Sequence, residues 1–239
     1  MTPRPGDPDP DDGGQMADRT VLVIGPTRGL PAAVARAAAD RGARVALATW
    51  GGVDEPDDED VRVFPAELRS EAAIDGLFAA VLEELPDLDT VIAITATESV
   101  GPLEELPLET WRTRVTRPLR ATFWLARQAV AEFLAAGVAG RIVLVVQTSG
   151  AMGSNEIVAD ALRSFTRSFA REYGSRGLSC NLVIQSAAPP DGARHPSTNA
   201  GVEHVLFLAS DAASFVTGEA LVVDSRGPAS GRDRVGGPA

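Results

Sequence analysis

The stretch Thr20-Val21-Leu22-Val23-Ile24-Gly25-Pro26-Thr27-Arg28-Gly29-Leu30-Pro31 decides the fold. Its first five residues are apolar or β-branched and continuous, which reads as a strand buried on both faces. A glycine-flanked turn follows, then a helical pattern over Leu30–Arg41. Strand, tight turn and helix N-terminus together make the context in which backbone amides and the helix dipole hold a dinucleotide pyrophosphate. Gly25 and Gly29 permit the turn and a close backbone approach. Pro31 stands in the first helical turn, where proline is tolerated.

Working outward, the same alternation recurs. Short apolar runs lie at Arg44–Ala48, Val61–Phe64, Thr90–Thr95, Arg141–Val146, Ser179–Ile184 and Ala220–Val223. Helical stretches fall between them at Glu71–Leu85, Glu109–Ala136, Val158–Arg176 and Gly201–Ala209. Seven strands alternating with helices predict one α/β domain, a Rossmann-like, doubly wound parallel seven-stranded sheet. Pro118 sits inside the longest helical stretch and predicts a kink or restart near Arg117. From Trp50 to Asp60 there are 11 residues, too few for a crossover helix with its two loops.

The composition bounds the function. A chain of 239 residues suits one domain. No apolar run is long enough to span a bilayer. The single cysteine, Cys180, excludes an intramolecular disulfide framework and a cysteine-rich metal site, and a cytoplasmic location is expected. Residues 1–18 and the run from Asp54 to Asp60 together carry ten of the eleven net negative charges. The remainder is near neutral, with no basic footprint for nucleic acid or an anionic membrane. Residues 1–18 read as a disordered acidic tail, 19–227 as the domain and 228–239 as a flexible C-terminal tail. The chain has no lysine, all 22 basic residues being arginine, and only one tyrosine, Tyr173.

From Arg19 to Gly227 the chain resembles the short-chain dehydrogenase/reductase family. The resemblance rests on the glycine loop, Leu88-Asp89-Thr90-Val91-Ile92, the Trp111 helix, Gly140-Arg141-Ile142-Val143, Ser168-Phe169-Ala170-Arg171-Glu172, Gly177-Leu178-Ser179-Cys180-Asn181 and Ser210-Asp211-Ala212-Ala213-Ser214-Phe215-Val216-Thr217-Gly218. The resemblance implies general acid–base chemistry beside a nicotinamide, by a tyrosine, a lysine one turn later, a carbonyl-orienting serine and a bracing asparagine. Those four positions fall on Asn155, Ala159, Gln147 and Pro118, so the implied catalytic set is vacant. Tyr173 lies 18 residues past Asn155, or about 27 Å along a helix.

The resemblance also implies a cofactor pocket with replacements. Its third glycine is Pro31, its Asn-Asn-Ala-Gly motif is Ala93-Ile94-Thr95-Ala96, and its Pro-Gly is Gln185-Ser186. Gly25, Thr27, Arg28 and Gly29 remain as the dinucleotide-binding candidates, with Glu67 at the adenine-contacting position. No cofactor, or weak NAD(P) binding, is expected.

A preserved scaffold with vacant positions leads to the expectation of a pseudoenzyme without hydride transfer of its own. Such a chain would be a non-catalytic partner or scaffold, pairing with itself or an active family member through helices 109–136 and 158–176. The alternatives are a non-redox lyase, cyclase or isomerase using Ser149, Asn155, Asp160, Asp191 or His195, a dinucleotide sensor, and an oxidoreductase of atypical route. His204 is expected at a surface or boundary position of its helix, and no metal-ligand spacing is found.

Overall fold

A computed structural model describes residues 16–26, 29–50, 60–95, 103–148, 154–186 and 198–223. The strands are β1 (Thr20–Pro26), β2 (Arg44–Trp50), β3 (Val61–Pro65), β4 (Thr90–Thr95), β5 (Arg141–Thr148), β6 (Ser179–Ser186) and β7 (Ala220–Val223). The helices are α1 (Leu30–Ala39), α2 (Glu71–Glu84), α3 (Leu108–Ala136), α4 (Ser154–Tyr173) and α5 (Thr198–Ala209). The strands form one seven-stranded sheet in the order β3-β2-β1-β4-β5-β6-β7, all pairs parallel. The order reverses between β1 and β4. At such a switch point neighbouring connections depart to opposite faces and leave a crevice at the carboxyl ends of the strands.

Alternate residues of each strand feed two cores. Leu22, Ile24, Ile142, Leu144 and Val146 pack beneath α2, α3 and α4. Val21, Val23, Ile92, Val143, Val145 and Val183 pack beneath α1 and α5. Burial on both faces explains why the central strands are continuous apolar runs.

Local chemistry fixes the helix ends. Ser70 Oγ accepts the Ala73 amide at 3.2 Å and starts α2. Gly137, at φ 69°, ends α3 in the left-handed conformation, its amide donating to the Phe133 carbonyl.

Three expectations are corrected. Of the kink or restart expected near Arg117, the restart does not occur, because α3 is a single 29-residue helix. Proline removes one backbone bond there, while Val115, Thr122 and Leu125, buried on either side of it, hold both halves to the same core. The N-terminal boundary also moves. Met16 is fully buried in the α1/α5 core, and the Arg19 amide donates to its carbonyl at 3.1 Å. Met16, assigned to the acidic tail by the sequence, is therefore packed into the core. Finally, α4 starts at Ser154 and α5 at Thr198, each a turn earlier than their apolar periodicity indicates. Residues 1–15 and 224–239, including most of the expected N-terminal tail and all of the C-terminal one, and the acidic run as far as residue 59 lie outside the described residues.

At the amino ends of the strands, Arg19, Asp89, Arg141 and Asp211 form one ionic cluster. Arg19 contacts both Asp211 and Asp89, the latter at 3.5 Å, and Arg141 Nη2 meets Asp211 at 2.7 Å. Burial, and then the neighbouring Arg19 charge, lowers the Arg141 pKa, while Asp211 and Asp89 raise it. The cluster lies at the opposite end of the sheet from the crevice and ties β1, β4, β5 and the turn after α5 together.

Candidate active site

The crevice is built first from β1 and α1. Gly29 caps α1 at φ 86° and ψ −134°, a conformation open to glycine and costly for any other residue. Among the described residues a Cβ built there meets nothing within 4 Å, so toward them the backbone faces open space. No side chain caps this helix. By helix geometry the amides of Gly29, Leu30 and Ala32 have no intrahelical acceptor, and Pro31 contributes none. An open glycine beside three convergent amides fits a pyrophosphate.

Gly25 has a different role from the one its motif suggests. A Cβ there would sit 2.5 Å from Pro31 Cγ and 3.3 Å from Ile94 Cβ. The close approach at Gly25 is therefore made by the Pro31 ring, which packs against strand β1 rather than standing over Gly29. Thr27 and Arg28 lie outside the described residues. Glu67 is exposed beyond β3, beside a shallow groove lined by Phe64, Pro65, Ala73 and Leu77. Trp50 ends β2, in register with Pro26, and is partly exposed.

Further along the edge, β4 ends in buried Ile94 and half-buried Thr95. β5 ends in half-buried Gln147 and buried Thr148. Gln147 is the register partner of Gln185 on β6, and its Nε2 donates to Gln185 Oε1 at 3.4 Å. Asn155 lies in the first turn of α4, and Ala159, one turn later, is buried. Between them Glu156 is half-buried, and its Oε2 is buried with no hydrogen-bond partner among the described residues. Pro118 is half-buried within α3. The structure thus brings Gln147 to the carboxyl edge beside the β1/β4 crevice, and starts α4 with Asn155 in its first turn.

The other candidates are dispersed. Asp160 is exposed and pairs with Arg163 at 3.7 Å. Ser149, Asp191 and His195 lie outside the described residues. His204 is half-buried on α5 and has a partner. Tyr173 is at the last residue of α4, where a hydrogen bond to Glu172 raises its pKa and its ring packs 4.9 Å from that of Phe169. Cys180 is buried in the core under α4, its thiol pushed up to about 12 by burial. Among the described residues no group of three or more His, Cys, Asp or Glu could hold a metal, and no helix is long and apolar enough to cross a membrane.

Sequence reasoning missed Gln185 as a partner of Gln147. The sequence marks Gln147 and Gln185 only as separate replacements in the resemblance, at the serine position and in the Pro-Gly motif, and their pairing depends on β5 and β6 being neighbours.

A family profile described as short chain dehydrogenase matches residues 19–191. Among curated relatives, cis-4-hydroxycyclohexanecarboxylate dehydrogenase of Sinomonas cyclohexanicum is 30% identical, covering 89% of this chain and 97% of its own. The 3-oxoacyl-[acyl-carrier-protein] reductase FabG of Escherichia coli is 27% identical, covering 86% and 96% respectively. Among solved structures, a short chain dehydrogenase from Leptospira borgpetersenii with bound NAD+ superimposes with a TM-score of 0.79 at 17% identity, covering 94% of this chain and 98% of that one. The expectation of a pseudoenzyme confined to a partner or scaffold role does not stand against these findings: the curated relatives, matched over nearly their whole length, are named as a dehydrogenase and a reductase.

Proposed function

The chain belongs to the short-chain dehydrogenase family, and we propose on that footing that it is a nicotinamide-dinucleotide-dependent oxidoreductase acting on a small hydroxyl or carbonyl compound. The observation that carries this reading is the open Gly29 cap at the head of α1, set beside the β1/β4 switch point. The amides of Gly29, Leu30 and Ala32 would hold the pyrophosphate, and Trp50 would flank the adenosine end. The bound nicotinamide supplies the hydride donor or acceptor. The four positions implied by resemblance hold Pro118, Gln147, Asn155 and Ala159, and the chain has no lysine. The substrate proton therefore travels by a route other than a tyrosine–lysine pair.

In this proposal two copies associate through α3 and α4. The support is apolar surface left on these helices, with Phe123 52% and Ile157 46% exposed.

The test is titration with NADH and NADPH, read as energy transfer from tryptophan to the reduced nicotinamide. It is followed by turnover of NAD+ or NADP+ with cis-4-hydroxycyclohexanecarboxylate and D-threitol as probe alcohols. Saturable transfer that is weakened by Gly29→Val is the expected result. Absence of binding at millimolar dinucleotide would overturn the proposal.

A further inference from the structure

Resting on that reading, we infer that the amino-terminal overhang of α3, with Leu108 at its tip and Trp111 one turn on, is the wall against which the apolar body of the substrate packs. The first observation is one of length. α3 has 29 residues, about 44 Å of helix. The strands beneath it, β4 and β5, have six and eight residues, at most about 26 Å. The helix therefore exceeds the sheet by roughly 17 Å. Its carboxyl end is pinned: Gly137 ends α3, the Phe133 ring leaves no room for a side chain on Gly140, and β5 begins at Arg141. That end is level with the amino ends of the strands, so the surplus projects past their carboxyl ends.

The projecting part continues the buried face of the helix. Leu108, Trp111 and Val115 stand at i, i+3 and i+7, on the stripe that further along holds Thr122, Ala126 and Phe133, all buried. Burial along that stripe fades toward the tip. Val115 is 6% exposed, Trp111 is half-buried against the core, and Leu108 is 72% exposed. Leu108 is therefore exposed on the inner side of the helix, where the sheet no longer lies beneath it.

Position supplies the occupant. β1 leads into α1 on the face of the sheet lined by Val21 and Val23, and β4 leads into α3 on the opposite face, lined by Leu22 and Ile24. The crevice at the switch point thus has two walls. One is the head of α1, whose open glycine and amides suit phosphate. The other is the α3 overhang, which is apolar. With the pyrophosphate at α1, the α3 wall is left to the hydrocarbon part of the substrate. The ligand class is a hydroxyl or carbonyl compound with a carbon ring or branched chain, in preference to a short or polyol one.

The experiment uses the full chain saturated with NADH and two neutral ketone probes, acetone and cyclohexanone, with Kd read by saturation-transfer NMR. Wild type is expected to bind cyclohexanone roughly tenfold more tightly than acetone. Leu108→Ser, a change at an exposed position, lowers that preference roughly fivefold, with NADH affinity within twofold of wild type. Leu108→Met keeps the preference within twofold. In chain labelled with 5-fluorotryptophan, the Trp111 signal, identified by its loss in Trp111→Phe, shifts with cyclohexanone. A Leu108→Ser chain with the wild-type preference overturns this inference and leaves the proposed function in place. So does a wild type that binds NADH but takes both ketones equally, or neither. A Leu108→Ser chain whose mass by light scattering changes while its preference does not assigns the tip to contact between copies, and overturns the inference likewise. A wild type that binds no dinucleotide removes the proposed function, and this inference with it.

Discussion

Cys180 offers a test of the core that the composition makes unusually clean. Its thiol is buried, and desolvation pushes its pKa from 9.0 to about 12, with the Thr166 hydrogen bond offsetting part of the rise. The raised value means the folded chain keeps a proton that the unfolded chain gives up. Stability from this group is therefore intact below pH 9 and falls as the pH climbs toward 12. Each pH unit above the unfolded thiol's pKa costs about 1 kcal/mol or a little more, so the loss is on the order of 1 kcal/mol at pH 10 and about 3 at pH 11, with a limit near 4. Lysines normally obscure this window, but this chain has none and only one tyrosine. Tyr173, also raised, and Arg141, lowered, are present in wild type and variant alike and cancel in the difference.

The variant is Cys180→Ala, followed by urea unfolding from pH 7 to pH 11. Removing the sulfur leaves a small void and costs about 1 kcal/mol at pH 7. The variant then lacks the alkaline loss, so the two stability curves cross close to pH ~10. Parallel curves would refute the reasoning, because they would mean that the thiol ionises as easily in the folded chain as in the unfolded one. Slow modification of native Cys180 by a thiol reagent at pH 8, at the global unfolding rate, is the kinetic counterpart.

Three further outcomes are expected. Asp211→Asn weakens the grip on Arg141, whose side chain is 8% exposed, but Asp211 itself is 73% exposed; screening holds the loss to about 1–2 kcal/mol, and in 0.5 M salt the urea-unfolding difference from wild type shrinks. Gly25→Ala drives a Cβ into the Pro31 ring and costs about 1–3 kcal/mol, part of which Pro31→Ala restores in the double variant, as thermal unfolding of the four chains will show. Phe123→Asp places a charge on the exposed face of α3 and shifts the mass by light scattering from two copies to one while NADH affinity stays unchanged.

Much of the fold is legible because it rests on local pattern. Strands buried on both faces cannot hide their apolar runs, and β4 and β7 agree with their sequence reading to the residue. β1, β2, β5 and β6 each run two residues further at the carboxyl end. Those residues, such as Gln147-Thr148 and Gln185-Ser186, are where the sheet meets the crevice and apolar character stops. Helix starts fail for the same reason: the first turns of α4 and α5, beginning Ser154-Asn155-Glu156 and Thr198-Asn199-Ala200, carry no apolar stripe. Met16 follows a run rich in Pro, Gly and Asp, with only Ala17 beside it as an apolar neighbour, and no periodicity marks it as buried. The four-residue ionic cluster is illegible for another reason, since Arg19 and Asp211 stand 192 residues apart and only the sheet order brings them together.

The vacant positions and the dehydrogenase relatives are reconciled by separating two tasks that the family's chemistry joins. Hydride transfer needs two carbons held at a fixed distance and angle, which is a matter of where the dinucleotide and the substrate oxygen are gripped. In the proposed function the open cap at Gly29 stands at the dinucleotide end of that geometry. Proton transfer needs an ionisable group with a tuned pKa, and an ammonium-assisted tyrosine is beyond this chain: it has no lysine, and Tyr173 is roughly 27 Å along α4 from Asn155. Positioned acid–base groups contribute on the order of 10²- to 10⁴-fold in rate. A chain that keeps the positioning and lacks that pair forgoes a factor of this size while retaining the reaction. Slow, dinucleotide-dependent turnover is what the proposed function predicts, whereas the sequence alone led to the expectation of no hydride transfer.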